Sequence, residues 1–273
     1  MSTNLSTGRH HGSILNTQTV AELTFTENAY APGVVLPKHS HQQACFCLVL
    51  QGTYTEAYRR KTLYCQPLSL VFRPAGEVHS DYFNDVRVRC FLIEFGRGWL
   101  DRFHQYAAWS DGPTAFRQNS LVRIAVRLRK EIKRMDAVTS LIVEGLMLEM
   151  MAEASRNRVK STGRATPPWL VHARDILQGH PTEHHTLSGL AQAVGVHPVY
   201  LACSFRRRYG CTVGESVRRL RVEVACRELS TADTPLAQVA LNVGFSDQSQ
   251  FSRAFKRTLG LTPSEYRKMF RAP

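Results

Sequence analysis

One helix-turn-helix pattern occurs twice in the last third of this 273-residue chain, and that duplication constrains the fold more than any other feature. The first copy reads Leu190-Ala191, three residues, Gly195-Val196, then Leu201, Phe205 and Gly210. The second reads Val239-Ala240, three residues, Gly244-Phe245, then Phe251, Phe255 and Gly260. Beyond the first glycine the copies differ by one inserted residue. A small alanine lets two helices cross closely, and a glycine takes the positive φ that a short interhelix turn needs. Apolar residues four apart share a face and dock the second helix onto the first. The rest of the second helix is basic in both copies: Arg206, Arg207 and Arg208 in one, Arg253, Lys256 and Arg257 in the other. A single copy fits many ordinary helical hairpins. Two copies with matched docking residues and cationic outer faces are predicted to lie in DNA grooves.

Around this repeat stand Arg221-Val222, Ala225, Leu229, Ser249, Arg253, Phe255-Lys256, Thr262-Pro263 and Tyr266-Arg267. With Val239-Ala240, Gly244-Phe245, Phe251 and Gly260, this resembles the signature of AraC/XylS-type transcription regulators. The resemblance implies two helix-turn-helix units joined by a long rigid helix, reading successive major-groove segments on one DNA face. The joining helix is expected over Val213 to Leu229, with Val217, Leu220 and Val224 on its buried side.

Net charge is +13 and is spread along the chain, which favours phosphate contact and salt-sensitive association with nucleic acid. The hydrophobic share of 43% is that of a globular chain. The polar N-terminus lacks an apolar h-region, so no signal peptide is expected. No stretch approaches the roughly eighteen apolar residues of a membrane helix. Seven irregularly spaced cysteines read as reduced thiols. The expectation is a soluble, cytoplasmic protein without membrane association.

Residues 20–95 read as short strands between turn residues: Val34 to Leu36, Cys45 to Leu50, Thr53 to Tyr58, Ser69 to Phe72 and Arg87 to Phe95. Gly33, His39-x-His41 and Gly52, followed by Pro74-x-Gly76-x-x-His79 and Asn84, resemble the two motifs of the cupin barrel. That resemblance implies histidines from two hairpins converging on the barrel mouth. Where metal-binding cupins carry a glutamate in the first motif, this chain has Cys45. His39, His41, Cys45 and His79 are therefore candidates for the pocket of a small organic effector, and neither a cofactor nor a metal is expected. The alternative is a metal-binding cupin, a metal sensor or metalloenzyme with an attached DNA-binding domain. Cys45, Cys47, Cys65 and Cys90 are read as small buried hydrophobes.

Two amphipathic helices follow, over 119–135 and 138–154. The family resemblance implies that such a helix pairs two subunits, giving a homodimer. The fold class is thus two-domain α+β: an N-terminal cupin-like β-barrel with following helices, then an all-α domain with two helix-turn-helix units. The expected boundaries are a disordered N-terminus over 1–18, a sensor and dimerisation domain over 19–155, a linker over 156–168 and the DNA-binding domain over 169–273.

The first recognition helix is expected from Pro198 to Tyr209, with Thr186 or Ser188 capping the helix before it. Its groove face carries His197, Val199, Tyr200, Ala202, Cys203, Arg206 and Arg207. Most are small or apolar and suit thymine methyl groups. The second helix, about Asp247 to Leu259, offers Gln248, Ser249, Gln250, Ser252, Arg253 and Lys256. Gln and Arg match adenine and guanine edges, although an acidic neighbour such as Asp247 would compete for Arg253. Arg207, Arg208, Arg218, Arg219 and Lys256 are phosphate candidates. The reading is a transcription regulator, an activator answering to an unidentified effector, with no catalytic residue. Its expected partners are double-stranded DNA and, by family resemblance, RNA polymerase.

Overall fold

The computed structural model describes residues 3–59, 61–84, 86–102, 112–116, 119–159 and 166–271. The chain divides into two compact units, Met1–Thr162 and Gly163–Pro273.

The first unit is a pair of sheets followed by helices. One sheet runs β1 (Thr3–Leu5), β4 (Val35–His41), β9 (His79–Phe83), β6 (Tyr54–Tyr58), β7 (Thr62–Cys65). The other runs β11 (Thr114–Phe116), β8 (Leu70–Arg73), β5 (Ala44–Gln51), β10 (Val88–Phe95), β3 (Leu23–Tyr30), β2 (Ser13–Val20). Strand β5 pairs with β8 on one side and β10 on the other, and its run Ala44 to Leu50 is buried on both faces. Cys45, Cys47 and Val49 point inward with Tyr54, Cys65, Val71, Phe83 and Leu92. All four barrel cysteines are buried within this apolar filling. The alternate residues Phe46, Phe72 and Phe95 stack on one another on the opposite face.

After the short α1 (Arg97–Asp101), helices α2 (Asn119–Arg134) and α3 (Thr139–Val159) pack together. Their junction with the sheet is a buried charge cluster. Glu27 on β3 accepts from Arg129 Nη2 and Arg89 Nη2, each at 2.7 Å, and Lys133 lies 3.7 Å away. Burial alone would push the Glu27 carboxyl up, but Arg129, Lys133 and Arg89 together hold it below the usual carboxylate range.

The N-terminus expected to be disordered is instead ordered over its described residues. Strand β1 pairs in parallel with β4, and β2 pairs antiparallel with β3. Partner strands, not apolar periodicity, satisfy this polar backbone, so its own sequence carries little sign of it. Of the linker expected over 156–168, residues 156–159 belong instead to α3, Pro168 opens α4, and 160–165 lie outside the described residues. Helix α3 runs on to Val159, held past Glu153 by the Arg156–Glu153 pair at 3.0 Å. Pro167 and Pro168 open the next helix, where fixed φ suits a first turn.

The second unit is helical: α4 (Pro168–Gly179), α5 (Leu187–Ala193), α6 (Pro198–Tyr209), α7 (Val213–Thr231), α8 (Leu236–Asn242), α9 (Gln248–Leu259) and α10 (Pro263–Arg271). Val213, Val217 and Leu220 of α7 join a core with Leu170, Leu190, Leu201 and Phe205. Further along α7, Val222, Ala225, Cys226 and Leu229 are buried where α8, α9 and α10 pack on it. Val224, expected on the buried side, is only half-buried, because α7 turns different faces to its two sets of neighbours.

Replacing Arg129 by Ala should destabilise the first unit by about 3–5 kcal/mol in urea unfolding, since Glu27 would lose its fully buried partner. Glu27 has a depressed folded pKa, so the stability it confers is present above its unfolded value and lost as pH falls through the folded one. The variant should accordingly show a smaller loss of stability on acidification than the parent.

Candidate nucleic-acid interface and barrel mouth

Matching devices build the two helix pairs. Gly195 and Gly244 take φ of +70° and +87° in the α5–α6 and α8–α9 turns. Val196 N donates to Ala191 O at 3.0 Å, and Phe245 N donates to Ala240 O at 2.9 Å. The repeat extends beyond what the sequence reading used. Thr212 and Glu215 form a reciprocal capping box at the start of α7, and Thr262 and Glu265 repeat its hydrogen bonds at the start of α10. The Thr-x-x-Glu spacing was the available signal.

Thr186 caps α5 by accepting from Gly189 N. His197 caps α6, its Nδ1 accepting from Val199 N at 3.3 Å. Asp247 caps α9 by accepting from Gln250 N at 2.7 Å, so its carboxylate is directed at backbone.

Most of the named groove residues are turned outward. On α6, His197, Val199, Tyr200, Cys203, Arg206 and Arg207 are exposed and Ala202 is half-buried. Val199 is 63% exposed, and Tyr200 is 53% exposed although its ring packs on Trp169. On α9, Gln248, Ser249, Gln250, Arg253 and Lys256 are exposed and Ser252 is half-buried. A cleft of about 610 Å³ lies between the pairs, lined by Ala202, Cys203 and Arg206 of α6, Arg218 of α7 and Gln250 of α9. Both helices therefore open onto one concavity. Arg208 Nε donates to Thr166 Oγ1 at 2.6 Å, and Arg219 pairs with Glu223. Those two arginines are partly engaged within the chain, unlike the other phosphate candidates Arg207, Arg218 and Lys256, for which no such bond is drawn among the described residues.

Arg221 was not singled out from the sequence as a site residue. Its guanidinium donates to Pro181 O at 3.2 Å and Glu183 O at 2.8 Å, both in the segment before α5, and to Gly244 O in the α8–α9 turn. It also lies over the Phe245 ring. One planar cation thus ties the first helix pair to the second.

In the first unit, three neighbouring strands line the barrel mouth. Register places His39 of β4 opposite His79 of β9, and Glu56 of β6 opposite Asp81 of β9. His39, His41 and His79 are buried, with the rings of His39 and His79 at 4.3 Å. Burial lowers all three: His39 and His79 fall to about 4 and His41 falls well below its ordinary value. Arg73 of β8 donates to Glu56 through Nε at 2.6 Å and Nη2 at 3.1 Å, and to Tyr54 Oη at 3.0 Å. Burial would raise the Glu56 carboxyl, but Arg73 holds it below the usual range. Cys45 lies on the same inner face, and burial keeps its thiol protonated. The N-terminal segment closes over the group: Gly8 N and His10 Nε2 meet Glu94, His10 packs on His41 and His11 on His39. Neither His10, His11, Asp81 nor the Arg73–Glu56 pair was anticipated.

Comparison with known proteins adds two family matches. An AraC-like ligand binding domain matches residues 24–151, and a helix-turn-helix domain matches residues 190–269. A putative AraC-like transcription regulator of Streptomyces antibioticus is 31% identical over 147 residues, 51% of this chain and 48% of that protein. The chain thus spans about half the length of that relative. The arabinose operon regulatory protein of Salmonella typhimurium is 28% identical over 225 residues, 74% of this chain and 75% of that one. Regulatory protein SoxS of the same organism is 37% identical over 78 residues, covering 29% of this chain and 73% of its own. These likenesses lend no support to the alternative of a cupin acting as metalloenzyme or metal sensor.

Two outcomes are expected from this geometry. Arg221→Ala should speed amide exchange at Glu183 and Gly244, whose N–H groups donate to His180 O and Leu241 O, by loosening the junction, and Arg221→Lys should restore only part of the protection, since a point charge cannot serve three separated carbonyls. The neutral imidazoles of His39 and His79 have depressed folded pKa values, so the unfolded chain binds more protons between about 6.5 and about 4. The first unit should therefore lose stability as pH falls through that window, and His79→Gln should lose less.

Proposed function

The chain belongs to the AraC family of transcription regulators, and on that premise we propose that it binds specific duplex sequences through α6 and α9 and answers to a small effector held in the N-terminal barrel. The observation that carries the reading is the pair of basic recognition helices opening onto one cleft, with Val199 and Tyr200 exposed on the first. Val199, Tyr200 and Ala202 meet thymine methyls, while Arg206, Gln248, Gln250 and Arg253 hydrogen-bond to base edges. Arg207, Arg218 and Lys256 contact phosphates and fix register without reading sequence. The closed, histidine-lined barrel mouth is where the effector binds, with His39, His41, Cys45 and His79 nearest it.

The protein acts as a homodimer in the cytoplasm, and as an activator it contacts RNA polymerase. Support for the dimer comes from α3. Leu141, Gly145, Leu148 and Ala152 recur at intervals of four, three and four and are all exposed, with Leu141 at 73%. Such a stripe is the seam of a helix pair, and a second copy of the same helix covers it. No helix among the described residues is long and apolar enough to cross a membrane.

Selection of bound duplexes from random DNA, with and without cell extract, tests the reading directly. It should return one preferred bipartite site whose occupancy changes with extract; absence of any sequence preference at moderate salt would refute it. Arg206→Ala and Gln250→Ala should each cost about 1–3 kcal/mol at that site and relax one base position. Lys256→Ala should weaken all sequences alike and reduce the salt slope by about one. Leu141→Glu with Leu148→Glu should shift sedimentation toward the monomer.

A further inference from the structure

The cleft between the two helix pairs is floored by apolar side chains. Val213 and Val217 of α7 and Phe245 of the α8–α9 turn are buried, and all three line its cavity of about 610 Å³. That volume falls within the roughly 300–1,000 Å³ of small-molecule pockets, whose walls are mainly apolar with a few placed polar groups. A nucleic-acid backbone presents phosphates to a protein surface and has little that fills an apolar floor.

The walls have the opposite character. Arg206 of α6 and Arg218 of α7 are exposed at the cleft, and among the described residues no aspartate or glutamate lines it. The Arg218 guanidinium lies over Gly214 in the first turn of α7, with Nη1 3.4 Å from where a Cβ would stand. Glu215 feels both cations, but its carboxylate accepts from Thr212 N at 2.7 Å and Thr212 Oγ1 at 3.0 Å. Those hydrogen bonds first, then Arg218 and Arg206, hold the Glu215 carboxyl below its usual range. Arg221 also lines the cleft, with its donors committed to the carbonyls of Pro181, Glu183 and Gly244. On the far wall Gln250 accepts from Ser246 through Oε1, so its amide NH2 remains a donor.

We infer that this cleft is a second small-molecule site, taking an amphipathic organic monoanion whose carboxylate pairs with Arg206 and Arg218 and whose apolar body rests on Val213, Val217 and Phe245. The arginines select an acid over a neutral or basic molecule of the same shape, because a planar guanidinium matches a carboxylate. The floor selects the same acid over inorganic phosphate, which buries no apolar surface. Ligand and duplex call on the same two arginines, so each lowers the other's affinity by the same factor. Such an acid releases the regulator from DNA without involving the barrel. The competition rests on the DNA-reading proposal; the site itself does not.

The probe is 4-phenylbutyrate, with 4-phenylbutyramide as its uncharged counterpart, titrated calorimetrically into the full-length protein without DNA. The acid should bind saturably, while the amide on the parent, and the acid on Arg206→Ala or Arg218→Ala, should each bind about tenfold more weakly. Arg227→Ala, which removes an exposed cation of α7 outside the cleft, should change nothing. Cys203 is exposed and lines the same cleft, so the acid should slow its alkylation by iodoacetamide, mapped by mass spectrometry on the parent. That readout locates the probe even if a variant fails to fold. No saturable binding, equal affinity for acid and amide, indifference to both arginine substitutions, or Cys203 left unprotected would each overturn the site. Fluorescence polarisation of a labelled duplex then reads the competition: saturating acid should raise the apparent Kd, and an unchanged Kd refutes it. A protein that binds the acid in this way but no duplex keeps the site and loses the DNA-reading proposal.

Discussion

Two probes read one stretch of duplex only if their separation is fixed, and in the second unit that constraint is met by the Arg221 guanidinium. It sits on the spacer helix α7 and spends its donors on carbonyls from both sides of the junction. Burial makes the cation costly, and burial lowers its pKa, yet each of the three carbonyls would lack this donor without it. The stiff spacer and its two apolar surfaces then follow. Val213, Val217 and Leu220 hold one reader, and Val222, Ala225 and Leu229 hold the other.

The first unit solves a different problem with the same chemistry. Its mouth is polar and closed, with Arg73 met there by Glu56, and where the helices join the sheet Arg129 is met by Glu27. Burial and Glu56 together raise the Asp81 carboxyl well above its ordinary range, while the surrounding histidines are kept neutral. A neutral, acceptor-rich cavity beside a compensated ion pair is poised for a polar ligand, whereas an apolar barrel interior would not be.

Legibility in the sequence followed from whether a signal was local. Helices α6, α7 and α9 of the second unit were readable to within two residues because caps, glycine turns and four-residue spacing are written in neighbouring positions; α6 runs from Pro198 to Tyr209 as expected. Strands β4, β5, β6, β8 and β10 were readable from apolar runs bounded by turns. Strands β1 and β2 were not, since their polar residues owe their conformation to β4 and β3. The three histidines were legible through motif spacing. Asp81 was not, because its meeting with Glu56 depends on the β6–β9 register. Arg221 was invisible as a clasp for a similar reason: its acceptors are main-chain carbonyls, which no residue type announces.

The two turn glycines look equivalent in sequence, but their surroundings differ. A Cβ at Gly195 would meet nothing within 4 Å, whereas one at Gly244 would lie 2.4 Å from Thr182 O and 3.0 Å from Arg221. The duplicated halves have therefore acquired unequal freedom to drift. The earlier hairpin can accept asparagine or another residue at home in left-handed backbone and diversify what its probe contacts. The later hairpin is locked by the seam, so any lineage that recombined the two halves would lose the interlock before it gained a new specificity.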